Sequence, residues 1–170
     1  VKNYTKQLLK LSMDKSILKY ATNLVYLTGA KQEEDVDYAV LYSILNKQPK
    51  RANVYFFVHI NVLDEPYRRE YKVTKFSDKK IFKITFNLGF RENQRVNMFM
   101  RQVIGDLLED NELELQPTKY NLRGKAETVG DFRFVLIEEV LGNSNGLSSF
   151  DNFIMGLRLK LKKITVTPEK

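Results

Sequence analysis

The sequence predicts a mixed α/β (α+β) single domain: a mixed sheet of about five strands with helices packed mainly on one face. Three observations carry this. Apolar residues alternate with a period of two through residues 53–62 and 81–90, as in strands. They recur at helical spacing through residues 36–45, 96–108 and 150–164. The two periodicities follow one another in the order helix-β-α-β-β-β-α-β-α, and the first βαβ unit calls for a parallel pair joined by a right-handed crossover.

Taken in order, Tyr4, Leu8 and Leu11 fall on one face of a first helix, while Lys2, Lys6 and Lys10 recur every fourth residue on another. This is a short amphipathic basic helix over residues 1–13, read as a linker ahead of a domain over 14–170. Residues 21–28 are β-branched and aromatic and stop at Gly29, as a buried strand does. Glu33, Glu34 and Asp35 then precede Val36, Val40, Leu41, Ile44 and Leu45; acidic residues at the start and Lys47 at the end complement a helix dipole, and Pro49 marks the exit. In residues 53–62, Val54, Phe56, Val58, Ile60 and Val62 face one way and Asn53, Tyr55, Phe57, His59 and Asn61 the other. Bulk on both faces predicts a central strand. Residues 71–76 and 81–90 form a hairpin across Ser77-Asp78-Lys79-Lys80, and Phe82, Ile84, Phe86, Leu88 and Phe90 make an inward row that needs helices to cover it. Val96, Phe99, Met100, Val103, Leu107 and Leu108 supply one such helix; Phe150, Phe153, Ile154, Leu157, Leu161 and Ile164 supply another, with a capping-box start at Ser148-x-x-Asp151. Between them residues 112–130 read as a polar surface excursion, residues 131–139 as a fifth strand, and residues 142–146 as a flexible loop.

Composition narrows the function. A chain of 170 residues with 43% hydrophobic content fits one domain. With no cysteine it has no disulfide framework, thiolate metal site or cysteine nucleophile, which leans toward a reducing compartment. Its apolar runs of about five residues fall far short of the roughly 20 that cross a bilayer, and Val1-Lys2-Asn3-Tyr4 has no signal-peptide core. A first residue other than Met leads us to expect a segment of a longer protein. The formal charge of +7 directs attention to acidic partners, although its local concentrations (Lys2/Lys6/Lys10, residues 47–51, 79–83 and 158–163) read first as solvated surface.

No catalytic constellation emerges, and no enzyme is expected. His59 is the lone histidine and lies mid-strand, where a structural hydrogen bond is the expected role. One histidine, no cysteine and no calcium-type loop leave no metal site, and none of the eight glycines forms a phosphate-binding loop, so no cofactor is assigned. Ser148 and Ser149 read as helix caps, and Glu138 and Glu139 point to opposite strand faces. The candidate anion or nucleotide contacts are Lys50 and Arg51 in a basic turn, Arg91 and Arg95 near a helix start, and His59. Tyr55, Phe57 and His59 could also form a stacking face for RNA, but cover by the excursion at 112–130 or by a partner subunit is the expectation, and no nucleic acid is expected.

Several segments, in order, resemble the cytoplasmic C-terminal region of KUP-type (KUP/HAK/KT) potassium uptake transporters. They are Leu11-Ser12-Met13-Asp14, residues 19–28 (KYATNLVYLT), residues 49–59 (PKRANVYFFVH), Asp64-Glu65-Pro66-Tyr67, Leu88-Gly89-Phe90-Arg91, Arg95-Val96-Asn97 and Gly130-Asp131-Phe132-Arg133-Phe134-Val135. The resemblance covers almost the whole chain. It implies a non-catalytic domain on the cytoplasmic side of the cell membrane, attached to a multi-pass, proton-coupled potassium symporter and regulating, positioning or dimerising the membrane part. It implies as partners the transporter's own transmembrane domain, a second copy in a homodimer, and anionic lipid headgroups near Lys2, Lys6 and Lys10. Sequence beyond Lys170, including a closing strand, is also expected. A nucleotide or cyclic-dinucleotide sensor and an independent RNA-binding domain are the alternative readings.

Overall fold

The computed structural model describes residues 2–32, 36–77, 79–92, 96–117 and 127–137. The chain forms α1 (Lys2–Met13), β1 (Lys19–Leu27), α2 (Tyr38–Leu45), β2 (Arg51–Leu63), β3 (Arg69–Ser77), β4 (Ile81–Gly89), α3 (Val96–Glu109), β5 (Gln116–Pro117), β6 (Glu127–Thr128) and β7 (Phe132–Val135). Five strands make a mixed sheet in the order β3-β4-β2-β1-β7. In it β1 runs parallel to β2 and β7, β2 parallel to β4, and β3 antiparallel to β4. The hairpin forms as expected, but its second strand inserts next to β2 and its first goes to the edge. The residues explain the arrangement. Both faces of β4 are buried, whereas β3 exposes Arg69, Glu70, Lys72 and Lys75, and charged side chains suit an edge that must not pair further. β5 and β6 pinch together the ends of the segment expected as a surface excursion.

The pleat sends alternate residues of β2 into two separate cores. On one face Phe56, Val58 and Ile60 pack with Phe82, Ile84 and Phe86 beneath Phe99, Met100 and Val103 of α3; Phe56 and Phe82 stack with ring centroids 5.4 Å apart. On the other, Tyr55 and Phe57 pack with Leu24, Tyr26 and Ile81 beneath Leu8 and Leu11 of α1 and Val40, Leu41 and Ile44 of α2. Each large apolar side chain removed from water contributes about 1.5–3 kcal/mol, so neither face of β2 can be left uncovered. Helices on one main face describe α1 and α2; α3 covers the opposite face for this reason.

Several local expectations shift. α1, expected as a linker, lies against the sheet with Leu8 wholly buried, and exposes Lys6 and Lys10 outward. Tyr55, Phe57 and His59 are buried, Tyr55 and Phe57 beneath α1 and α2, so they offer no exposed stacking face; residues 118–126 of the expected excursion lie outside the described residues. Phe90 falls just past β4 and is exposed rather than completing the inward row. Lys47 lies beyond the end of α2, whose C-cap is Asn46. Gln48 (φ 65°) and Asn111 (φ 55°) take left-handed conformations just past α2 and α3 and turn the chain out of each helix. Glu33, Glu34, Asp35, Arg95, the helix expected from Ser148 onward and the remainder of the fifth strand lie outside the described residues.

Candidate functional site

Ligand sites of open α/β sheets lie beyond the carboxyl ends of parallel strands. Here Thr28, just past the end of β1, His59, within β2, and Lys83, near the start of β4, come together on the face covered by α1 and α2. Strand register places them: His59 pairs with Thr85, and Lys83 with Phe57, so the imidazole and the ammonium are diagonal neighbours. Thr28 continues the β1 ladder by donating its N–H to Val58 O at 2.9 Å.

These side chains hold the loop that leaves β1. His59 is 4% exposed, and its Nδ1 lies 3.1 Å from Thr28 O. A carbonyl only accepts, so Nδ1 carries the proton and donates. Lys83 is 1% exposed, and its Nζ donates to the carbonyl oxygens of Ala30, at 3.0 Å, and of Gln32. Asp37, the N-cap residue of α2, does not cap its own helix with its side chain; Oδ2 accepts from Thr28 Oγ1 at 2.8 Å and Gly29 N–H at 2.7 Å. The loop is therefore tied to three strands and one helix. A buried ammonium is costly unless hydrogen-bonded, and these carbonyls supply that compensation.

Burial lowers the His59 pKa, and the nearby Lys83 and Lys31 charges act in the same direction, against the hydrogen bond to Thr28 and the Asp37 carboxylate. The imidazole is neutral at physiological pH. Among the described residues no group of three or more His, Cys, Asp or Glu could hold a metal ion. What the arrangement does is brace the backbone of residues 28–32.

The other candidate residues do not converge on His59. Arg51 opens β2, eight residues earlier and about 26 Å along the strand. Its guanidinium donates to Ile17 O at 3.0 Å and Ser12 O at 3.4 Å, closing the end of α1. Lys50 Nζ donates to Ser43 O at 2.5 Å and Lys47 O at 3.0 Å, capping the end of α2, and burial lowers its pKa. Arg91 is exposed past β4 and stacks on Phe90, 5.6 Å from the ring centre. Arg95 lies outside the described residues.

Sequence reasoning passed over Lys83, Thr28 and Asp37. Lys83 reads in the sequence as part of a basic run over residues 79–83, but β4 is buried on both faces, and its place between Phe82 and Ile84 puts it inside. Nothing local marks Asp37, because its partners Thr28 and Gly29 lie just past β1, nine and eight residues earlier. On the α3 face, among the described residues, a shallow depression of about 260 Å³ is lined by Arg69, Glu70, Tyr71, Phe86, Phe99 and Gln102. Tyr71 there donates its hydroxyl to Asp106, which pushes the phenol up to about 12.

Residues 21–170 match the family described as the K+ potassium transporter C-terminal domain. The chain is 44% identical over 170 residues to the probable potassium transport system protein Kup of Flavobacterium johnsoniae, covering 100% of this chain and 26% of that protein. It is 43% identical over 170 residues to the protein of the same name from Clostridium perfringens, covering 100% of this chain and 25% of that one. The corresponding Enterococcus faecalis protein is 43% identical over 169 residues, or 99% of this chain and 25% of its own length. The chain thus spans about a quarter of the curated relatives it matches. No solved structure matches it. No described helix is long and apolar enough to cross a membrane. On the family match and this degree of identity, the chain belongs to the K+ potassium transporter C-terminal domain family.

Proposed function

We propose that this chain is a non-catalytic domain on the cytoplasmic side of a Kup-type, proton-coupled potassium transporter, and that it acts on the membrane part by positioning or regulating it. The observation that carries this reading is the family match over residues 21–170, with relatives named as potassium transport proteins. The site geometry supports it. His59, Lys83 and Asp37 are used to hold residues 28–32 in place past β1, and side chains spent on bracing backbone suit a contact surface better than a reaction centre. The membrane part of the same protein is the first partner of such a surface, and a second copy is the next. A nucleotide site built on Lys50 and Arg51 gains no support, because both cations are engaged with helix-terminal carbonyls.

The test is potassium uptake in transporter-deficient cells by the full-length protein with and without residues 14–170, with membrane abundance measured in parallel. Uptake that falls, or loses its response to external conditions, at equal abundance supports action on the transport cycle. Unchanged uptake and response at equal abundance overturn it.

A further inference from the structure

At the other end of the sheet, where the parallel strands begin, three turns are drawn together. Lys19 of β1 pairs with Arg51 of β2, and the Arg51 guanidinium binds carbonyls on both sides of the α1–β1 turn. Lys50 fastens the α2–β2 turn to the end of α2. Tyr55 N–H donates to Lys80 O at 2.8 Å and brings the β3–β4 turn alongside. In the first turn Leu18, just before β1, is 91% exposed, and Met13, the last residue of α1, is 60% exposed. On α1, in the same turn, at the start of β1 and in the neighbouring α2–β2 turn, Lys10, Lys15, Lys19 and Lys47 are all exposed. The acidic group within the turn, Asp14, is occupied by the backbone N–H and the hydroxyl of Ser16.

A single exposed leucine requires no explanation, but one nearly bare in a turn with exposed lysines before and after it in the chain has a specific chemical complement. Apolar tips enter the boundary between headgroups and acyl chains, while lysines extend their stems and leave their charges among phosphates. We propose that this edge, with Leu18 and Met13 at its centre and Lys10, Lys15, Lys19 and Lys47 around them, docks on an anionic lipid bilayer. The turn is braced from behind by Arg51, so it is held in shape before contact and little ordering remains to be done. The inference goes beyond the regulatory reading and rests on it only for the nearness of a membrane. Vesicle binding and potassium uptake are separate readouts and fail separately.

The experiment is flotation of the 170-residue chain with vesicles of phosphatidylcholine alone or mixed with phosphatidylglycerol, at low and raised salt. Binding is expected with the anionic vesicles only and should weaken with salt. Leu18→Ser, at a position that carries no core packing, should leave the unfolding midpoint unchanged and reduce binding. Lys15→Glu with Lys19→Glu should reduce it by about tenfold or more, since each lysine near such a surface contributes several-fold. Lys72→Glu with Arg101→Glu makes the same change in net charge on β3 and α3 and should have a much smaller effect. Absent binding to anionic vesicles, equal binding to neutral ones, an undiminished Leu18→Ser variant, or an equal loss in the Lys72/Arg101 pair each overturns the proposal. The last outcome would reduce the effect to net charge. If the Lys15/Lys19 variant does not fold, Leu18→Ser carries the test alone.

Discussion

His59 is the sole histidine of the chain, so a pH dependence of stability just below neutrality can be traced to one side chain. In the unfolded chain it takes up a proton near its ordinary value of 6.5; in the fold, burial together with the Lys83 and Lys31 charges holds its pKa lower. Between those two values the unfolded state binds more protons than the folded state. Stability therefore falls as pH drops below about 6.5, by up to about 1.4 kcal/mol per pH unit, and levels off below the folded pKa. Above that range the contribution is fully present. The assay is urea unfolding at a series of pH values between about 7.5 and 5.5, a range that lies above the ordinary carboxylate pKa values. The wild-type midpoint should fall with pH at a constant denaturant dependence. His59→Gln retains an N–H donor for Thr28 O and does not titrate, so its midpoint should be nearly flat. A flat wild-type profile, or the same slope in both proteins, would refute the reasoning.

Tyr55→Phe tests a buried hydroxyl that donates to Lys50 O and accepts from Ala52 N–H, each at 3.1 Å. Burial pushes that phenol up to about 12, and its loss strands the Ala52 N–H, so unfolding should cost about 1–3 kcal/mol less. Gly89→Ala should destabilise by about 1–3 kcal/mol, because a Cβ there runs into the Glu65 carbonyl oxygen and comes within 2.6 Å of the Pro66 carbonyl carbon and oxygen; thermal unfolding shows it as a fall of about 2–4 °C per kcal/mol. Gly105→Ala, with nothing within 4 Å of the added carbon and a position inside α3, should raise stability by about 0.4–1 kcal/mol. A loss at Gly105 comparable to that at Gly89 would mean that local packing does not separate them.

The sequence alone determined the elements that rest on periodicity. The alternation marked β2 as bulky on both faces and β4 as carrying an apolar row, and the 3.6-residue spacing of Val96, Phe99, Met100 and Val103 marked α3; backbone geometry imposes those periods wherever the segment comes to lie. The resemblance of ordered segments also led to the family that the comparisons establish. Tertiary structure decided what periodicity cannot encode. Strand order put β4 beside β2 and left charged β3 at the edge, and it set α3 on the face opposite α1 and α2. It also decided which cations serve the fold. Lys50 and Arg51 form a basic turn in the sequence and cap two helices in the structure, while Lys83, one of several lysines along the chain, becomes a buried clamp on the β1–α2 loop. The physical reason is common to all of these. A charge is spent or left exposed according to which carbonyls it meets, and those carbonyls belong to segments up to 53 residues away in the chain.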